Sequence, residues 1–420
     1  KDYTIRTVNG KRIGFVGALT DALGSVATPQ ITEDADLSER AVDALNRVAG
    51  ELKRSGKVDA VVALLHADAS AATGLGRDVD LAYTGHTHAV KQGVADGGAP
   101  IYEAGSFGQN MAVQDLIITG HGRHAKVQVA DVNLGNGTEA TAVPGVLNVE
   151  GLDAHPRQAA WMSAGVVSNG SVARSRQLYT KAKDYAASAG NAVIGTLAPG
   201  TNFDKRTSVG HEGSVGMLVA DANRESIMRN VYAGTRLPVV GFSNNGSLRT
   251  KQLDMDEDGK VTIREVDSLM ALQFHAAHET LTGLGLKAVL AQQFHRNDDG
   301  ELEHRWLGIS SNVRYRYVQC GDGGATCTLG DSDGNGNQHT GVKATVGIVD
   351  LTIDGRPIAD DDLVIIASNS YLLQGGDNYS AFRAGSNYGE LEMSYTQSLH
   401  EYLAAHPKLS AAVPETGTRA

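Results

Sequence analysis

Two kinds of hydrophobic pattern alternate along the first 135 residues. KRIGFVGAL (11–19), VDAVVALLH (58–66), DLAYTGH (80–86) and APIYEAGS (99–106) are short apolar runs, which predict strands buried in a sheet. LSERAVDALNRVAGELKRSG (37–56) instead repeats its apolar positions every three to four residues and predicts an amphipathic helix. MAVQDLIITG (111–120) and AKVQVADVNL (125–134) predict an edge pair of strands. The alternation is that of an α/β layer arrangement. Small and polar residues then lead into SRQLYTKAKDYAASAG (175–190), a helix expected to link two domains. A second α/β pattern begins at VIGTL (193–197). Its clearest helix is SVGMLVADANRESIMRNVYAG (214–234) and its clearest strand LPVVGFS (237–243).

Composition narrows the class. The 420 residues suffice for two domains with sizeable cores, and 41% hydrophobic with 20% charged residues describes a globular chain. Fifty glycines predict many tight loops, a common setting for binding sites. A net charge of −11 gives no global basic field for a polyanion, so long nucleic acid is not favoured, although a local pocket can hold one phosphate. No apolar run reaches the ~18 residues that a membrane span needs. The only cysteines, Cys320 and Cys327, flank the Gly-rich GDGGAT. They are expected to close a disulfide, which favours an extracellular, periplasmic or cell-surface setting.

Three groups of residues carry candidate chemistry. His66 ends the run VDAVVALLH, while His86 and His88 follow a strand in LAYTGHTH, where loops can aim imidazoles at a metal. NNGSLR (244–249) places a glycine turn and Arg249 after a strand, suited to close backbone approach and bidentate phosphate contact. DMDEDGKVTIRE (254–265) fits the twelve-residue EF-hand loop position by position. Asp254, Asp256 and Asp258 stand at positions 1, 3 and 5, the turn glycine Gly259 at 6, the Lys260 carbonyl at 7, Thr262 at 9 and Glu265 at 12. Ca²⁺ is the expected ion. SLRTKQL (247–253) does not read as an entering helix, so this is a lone loop with a structural role between Arg249 and Phe274.

The ordered set GHTH, NNGSLR and QGGDNY, with KRIGFVGALT before it, resembles the 5′-nucleotidase family of two-domain metallophosphoesterases. The resemblance covers essentially residues 5–420. It implies the C-terminal part of a four-layer metallophosphoesterase α/β sandwich over residues 1–140, a linker with a helix over 141–192, and an α/β substrate-binding domain over 193–420. It makes His66, His86 and His88 three ligands of a centre for two divalent transition metals of the Zn or Mn type. The family's Asp-x-His, Gly-Asp and Gly-Asn-His clusters have no counterpart upstream. The family's catalytic His is therefore expected outside this chain, which alone would be catalytically dead or severely impaired; either a separate N-terminal fragment supplies the missing part or this sequence omits it.

By the same resemblance, Asn244 and Arg249 bind substrate, Tyr371 and Phe274 clamp a nucleobase, and Asp377 is the acid of the Gly-Gly-Asp turn. Arg206, in NFDKRTSVG, is a further phosphate ligand. The LQFHAAHET stretch departs from the family pattern, with Gln273 for Pro and Ala276 for the base-contacting Asn. The implied activity is removal of phosphate from nucleotides. The same fold acting as a cyclic-nucleotide or dinucleotide phosphodiesterase or as a nuclease is one alternative. A non-catalytic nucleotide-binding remnant is the other.

Overall fold

The computed structural model describes residues 2–32, 37–132, 141–148, 169–205, 213–296, 302–319, 327–329 and 342–410. The chain forms two compact units. One comprises Lys1–Gly24 and Thr32–Gln177, the other Ser25–Ile31 and Leu178–Ala420.

In the first unit, strands β1 (Tyr3–Val8), β2 (Lys11–Leu19), β3 (Ala60–His66), β4 (Leu81–Thr84), β5 (Val90–Val94) and β6 (Pro100–Ala104) form one sheet in the order β1-β2-β3-β4-β6-β5. β2, β3, β4 and β6 run parallel, with antiparallel β1 and β5 at the edges. The register sets Leu19 opposite His66, Leu65 opposite Thr84, and Thr84 opposite Glu103. The carboxyl ends of the parallel strands therefore lie along one edge of the sheet, where ligands of open α/β sheets bind. Helix α1 (Ala41–Arg54) packs on β2 and β3, burying Leu45, Val48 and Leu52 against Val16, Val61, Ala63 and Ile101. Each fully buried side chain of this size contributes roughly 1.5–3 kcal/mol.

The helix begins four residues later than the periodicity from Leu37 suggests. Arg40 at its N-cap offers no acceptor, and the Ala41 N–H instead finds Asp21 Oδ1 at 2.7 Å. After β7 (Asn110–Ala112), strands β8 (Gln114–Thr119) and β9 (Lys126–Asp131) form the expected antiparallel edge pair. β10 (Val146–Asn148), within the stretch that composition marks as linker, pairs with β7. Helix α2 (Asn169–Gly190) contains the boundary between the units.

The second unit is built on five strands: β12 (Val239–Asn244), β14 (His275–Thr282), β15 (Leu307–Ile309), β18 (Leu363–Asn369) and β19 (Ser386–Ser394), in the order β15-β12-β18-β14-β19. Only β12 and β18 pair in parallel. Helix α3 (Ser214–Asn230) lies so close on β12 that a Cβ at Gly241 would stand 1.8 Å from the Ala220 carbonyl oxygen. Only glycine fits that contact. A smaller sheet joins β11 (Val193–Leu197) to β13 (Lys260–Thr262) and to β20 (Lys408–Leu409). Helix α4 (Ile263–Leu269) follows β13 directly, α5 (Gly283–Ala291) follows β14, and α6 (Tyr395–Ala405) follows β19. An antiparallel pair of β16 (Val313–Gln319) and β17 (Val346–Ile353) completes the elements used below. Val240, Phe242, Leu281, Val289, Ile366 and Phe382 belong to one core. Val215, Leu248, Val261, Val266, Leu269 and Tyr395 belong to another, between the small sheet and its helices. No helix among the described residues is long and apolar enough to cross a membrane.

Candidate functional site

In the first unit, His66 ends β3, and His86 and His88 lie in the loop after β4. The His66 and His86 rings meet edge to face with centroids 5.0 Å apart, beside an open concavity of about 470 Å³ lined by Leu19, Leu64, Tyr83 and Gly85. His88 packs against Phe107 instead, with centroids 5.5 Å apart. Both loop histidines have positive φ, 78° for His86 and 60° for His88, an uncommon backbone state for residues with a Cβ. What holds them there is a residue the sequence reading missed. Glu103 on β6 is buried, and its Oε1 accepts from Thr87 Oγ1 at 2.6 Å and from the Ala89 N–H at 3.2 Å. Its other oxygen, Oε2, is buried with no hydrogen-bond partner among the described residues.

Asp68 is committed elsewhere. It accepts from Lys91, Ser70 and Thr87, and these bonds, chiefly that of Lys91, hold its carboxyl well below the usual carboxylate range. Among the described residues no three His, Cys, Asp or Glu side chains converge as a finished metal cage. Two adjacent exposed imidazoles, with a third on the same loop, are a donor set that fits a Zn- or Mn-type ion in part.

In the second unit the predicted substrate residues come together. Asn244 ends β12, and its Nδ2 donates to Asp377 Oδ2 at 2.7 Å. Asn369, ending the neighbouring β18, donates to Asn244 Oδ1 at 3.1 Å. Tyr371 Oη donates to Asp377 Oδ1 at 2.7 Å and accepts the Asp377 N–H at 3.1 Å. Burial, and after it the charge of Asp377, pushes the Tyr371 phenol up, so it stays a donor. A Cβ at Gly376 would fall 2.4 Å from the Tyr371 ring, so the turn can lie on that ring only without a side chain. Asp377 itself has φ 53°.

Phe274 stacks on Tyr371, with ring centroids 5.2 Å apart and planes 9° from parallel. At this centroid distance the rings are too close to admit a base, which needs about 7 Å between the planes, twice the ~3.5 Å thickness of an aromatic layer, so a base entering between them must part them. Ala276, at the position where the family pattern has a base-contacting Asn, is buried in β14 opposite Asn369 and offers a base no polar group.

Arg249 is exposed, and its guanidinium donates to the Gly246 carbonyl at 3.1 Å. Beside it stands Lys205, which the sequence reading passed over for its neighbour Arg206. Burial, and then the charge of Arg249, pulls the Lys205 ammonium below its ordinary range. Two crowded cations are a setting that an anion relieves. The adjacent basic pair in NFDKR was the available signal; Arg206 lies outside the described residues, as does Cys320 of the expected disulfide.

Two more residues without a sequence signal hold the site. Arg305 donates to the Asp377 carbonyl at 3.0 Å. Tyr395 is buried, donates its phenol to the Ser247 carbonyl at 3.2 Å, and donates its N–H to the Phe274 carbonyl at 3.1 Å. It thereby joins the NNGSLR turn to the aromatic pair. Its phenol is pushed up to about 12, first by burial.

The EF-hand-like residues also adopt a defined loop. Gly259 has φ 76° and donates its N–H to Asp254 Oδ2 at 2.7 Å. Thr262 and Glu265 form a capping box at the start of α4. No helix of the EF-hand kind precedes the loop, as the sequence suggested.

Residues 193–384 match the model of the 5′-nucleotidase C-terminal domain. The chain is 23% identical over 399 residues to the cell wall protein Lmo0130 of Listeria monocytogenes, covering 91% of this chain and spanning 45% of that protein's length. Its fold is similar to that of a 5′-nucleotidase precursor from Thermus thermophilus, with a TM-score of 0.58, 16% identity and coverage of 99% of this chain and 74% of that one. It is also similar to the sulfate thiohydrolase SoxB of Thermus thermophilus, with a TM-score of 0.54, 18% identity and coverage of 99% and 64%. Residues 193–384 thus carry a 5′-nucleotidase C-terminal domain, and the fold of the chain is similar to that of a 5′-nucleotidase.

Proposed function

We propose that the protein is an exported, metal-dependent phosphohydrolase that removes phosphate from nucleotides. The observation that carries the proposal is the stacked Phe274–Tyr371 pair, tied through Tyr371 to Asp377 and Asn244. A flat apolar slot beside an acid–amide network suits a nucleoside, with the base between the rings and the ribose hydroxyls toward Asp377. Arg249 and Lys205 supply positive charge for a phosphate, and Arg206 is proposed to add to it. His66, His86 and His88 would hold the metal, which when bound polarises the phosphoryl group and activates water. Glu103 keeps the histidine loop in its strained conformation. Export is supported by the likeness to a cell wall protein and by the Cys320–Cys327 spacing.

A second reading keeps the fold and changes the leaving group. It is favoured by Ala276, which removes a base-reading amide, and would make the substrate a cyclic nucleotide, a dinucleotide or another ester. Calorimetric titration of the full chain with a nucleoside monophosphate, the nucleoside alone and inorganic phosphate tests the binding assignment. The monophosphate is expected to bind at least tenfold more tightly than either part, and equal or absent binding would overturn it. Phosphate release by the native protein, abolished by chelation and restored by Mn²⁺ or Zn²⁺, tests the hydrolytic step. Release from a monophosphate faster than from cyclic or polymeric substrates favours the first reading over the second.

A further inference from the structure

We propose that the loop Asp254–Glu265 binds Ca²⁺ and thereby braces the wall of the second unit that carries Arg249. The twelve-residue spacing is one observation. An independent one is the state of Asp254. This carboxylate is 2% exposed, and its Oδ1 has no hydrogen-bond partner among the described residues. The other oxygen of the same carboxylate, Oδ2, is held inside the loop by the Gly259 N–H at 2.7 Å. A buried carboxylate oxygen without a donor is costly, and a hard cation relieves it.

The backbone around Asp254 is already set. Its carbonyl accepts from Asn202 and Gln252, both at 2.9 Å, and its N–H donates to Asn202 Oδ1 at 3.2 Å. Lys260–Thr262 is fixed as β13, with Val261 in the core. The other carboxylates are engaged in exchangeable contacts. Asp256 pairs with Arg264 at 2.5 Å, and Asp258 accepts the Lys260 N–H at 2.9 Å. Glu265 accepts from the Met255 N–H and from the Thr262 N–H and hydroxyl, each at 2.8 Å.

Binding therefore starts at Asp254 and recruits Asp256, Asp258, the Lys260 carbonyl and Glu265, with Thr262 through water. Six or more flexible oxygen ligands suit Ca²⁺ and not the tight octahedron of Mg²⁺. A lone loop that must redirect Glu265 from its capping box is expected in the weak class of such sites, with Kd about 10⁻⁴–10⁻³ M. The ion's influence has a short route. Glu265 lies in the first turn of α4, and Leu269 at the end of that helix accepts the Arg249 N–H at 2.7 Å.

The test is titration of the EGTA-stripped full chain with CaCl₂, followed by calorimetry and thermal unfolding. One Ca²⁺ per chain and a rise in Tm of about 2–8 °C are expected, with no equal effect of MgCl₂. Glu265→Gln is expected to abolish both, but it also disturbs the capping box. Asp258→Asn, at an exposed position, should leave the ion-free Tm unchanged while weakening Ca²⁺ binding at least tenfold. Absence of binding up to about 10 mM Ca²⁺, well above the weakest such sites, would overturn the proposal. So would binding that survives in both variants. Neither readout uses nucleotide, so failure here leaves the phosphohydrolase reading standing, and the reverse.

Discussion

Tyr371 and Asp377 hold each other from both sides of a turn. The phenol donates to the carboxylate at 2.7 Å and takes the backbone N–H of the same residue at 3.1 Å. The aromatic residue that stacks on Phe274 is therefore also the residue that aims the acid. These two roles separate by mutation. Tyr371→Phe keeps the ring and loses both hydrogen bonds, about 1–2 kcal/mol. It is expected to weaken binding of a nucleoside monophosphate about 5–30-fold and that of inorganic phosphate hardly at all. Tyr371→Ala should cost at least tenfold more than Tyr371→Phe. Equal loss in both variants, read by calorimetry, would remove stacking from the account.

Lys205 is expected to make anion binding depend on pH. Its ammonium is pulled below the ordinary lysine range, so it deprotonates earlier than a solvated lysine as pH rises. Affinity for phosphate is expected to fall as pH rises, at a lower pH than a solvated lysine would set, while Arg249 keeps its charge. Lys205→Met should bind about tenfold more weakly at neutral pH with a flatter profile. A wild-type affinity that stays constant from about pH 7 to 10 would count against the residue.

Glu279 on β14 is 2% exposed, and its Oε1 has no partner among the described residues. Burial pushes its carboxyl well above the ordinary value of 4.5. The folded chain thus holds a proton that the unfolded chain releases. The stability it contributes is complete below 4.5 and declines as pH rises toward the folded value, by up to about 1.4 kcal/mol per pH unit. Glu279→Gln is expected to raise Tm at pH 7 and to narrow its advantage at pH 4. Parallel Tm curves for the two proteins would refute this.

Asp59 behaves in the opposite sense. Its burial pushes the carboxyl up, but the N–H of Arg12 at 2.7 Å, that of Gly122 at 2.5 Å and the Arg12 guanidinium at 3.1 Å outweigh this and hold it below the ordinary 3.8. The stability from these bonds is present above 3.8 and is lost as pH falls below it. Asp59→Asn is expected to cost on the order of 2 kcal/mol at neutral pH and to show a weaker acid transition. Thermal unfolding between about pH 2 and 6 measures both.

The strands of the first unit were legible because parallel, doubly covered strands are continuous apolar runs; KRIGFVGAL forms β2 from Lys11 to Leu19. The start of α1 was not, because its cap comes from Asp21, twenty residues upstream. In the second unit, motif order singled out Asn244, Arg249, Phe274, Tyr371 and Asp377, and the structure joins Asn244, Asp377, Tyr371 and Phe274 in one network. Lys205 had a signal only in the basic pair of NFDKR, while Arg305 and Tyr395 had none, because each of these two acts across a long sequence separation that no local pattern records. Asp377 and Arg305 meet through a backbone carbonyl, a contact that leaves no trace in residue type.

The bonds from Arg249 N–H to Leu269 O and from Tyr395 N–H to Phe274 O have a consequence for how such a pocket can change. The guanidinium and the aromatic ring hang from main chain whose position is set by other main chain and by Tyr395. Spacing within the pocket is then a property of the chain's register, while chemistry is a property of what each position displays. Gln273 and Ala276 can differ from a relative's residues without shifting the frame. Substrate preference in such a frame is rewritten one side chain at a time.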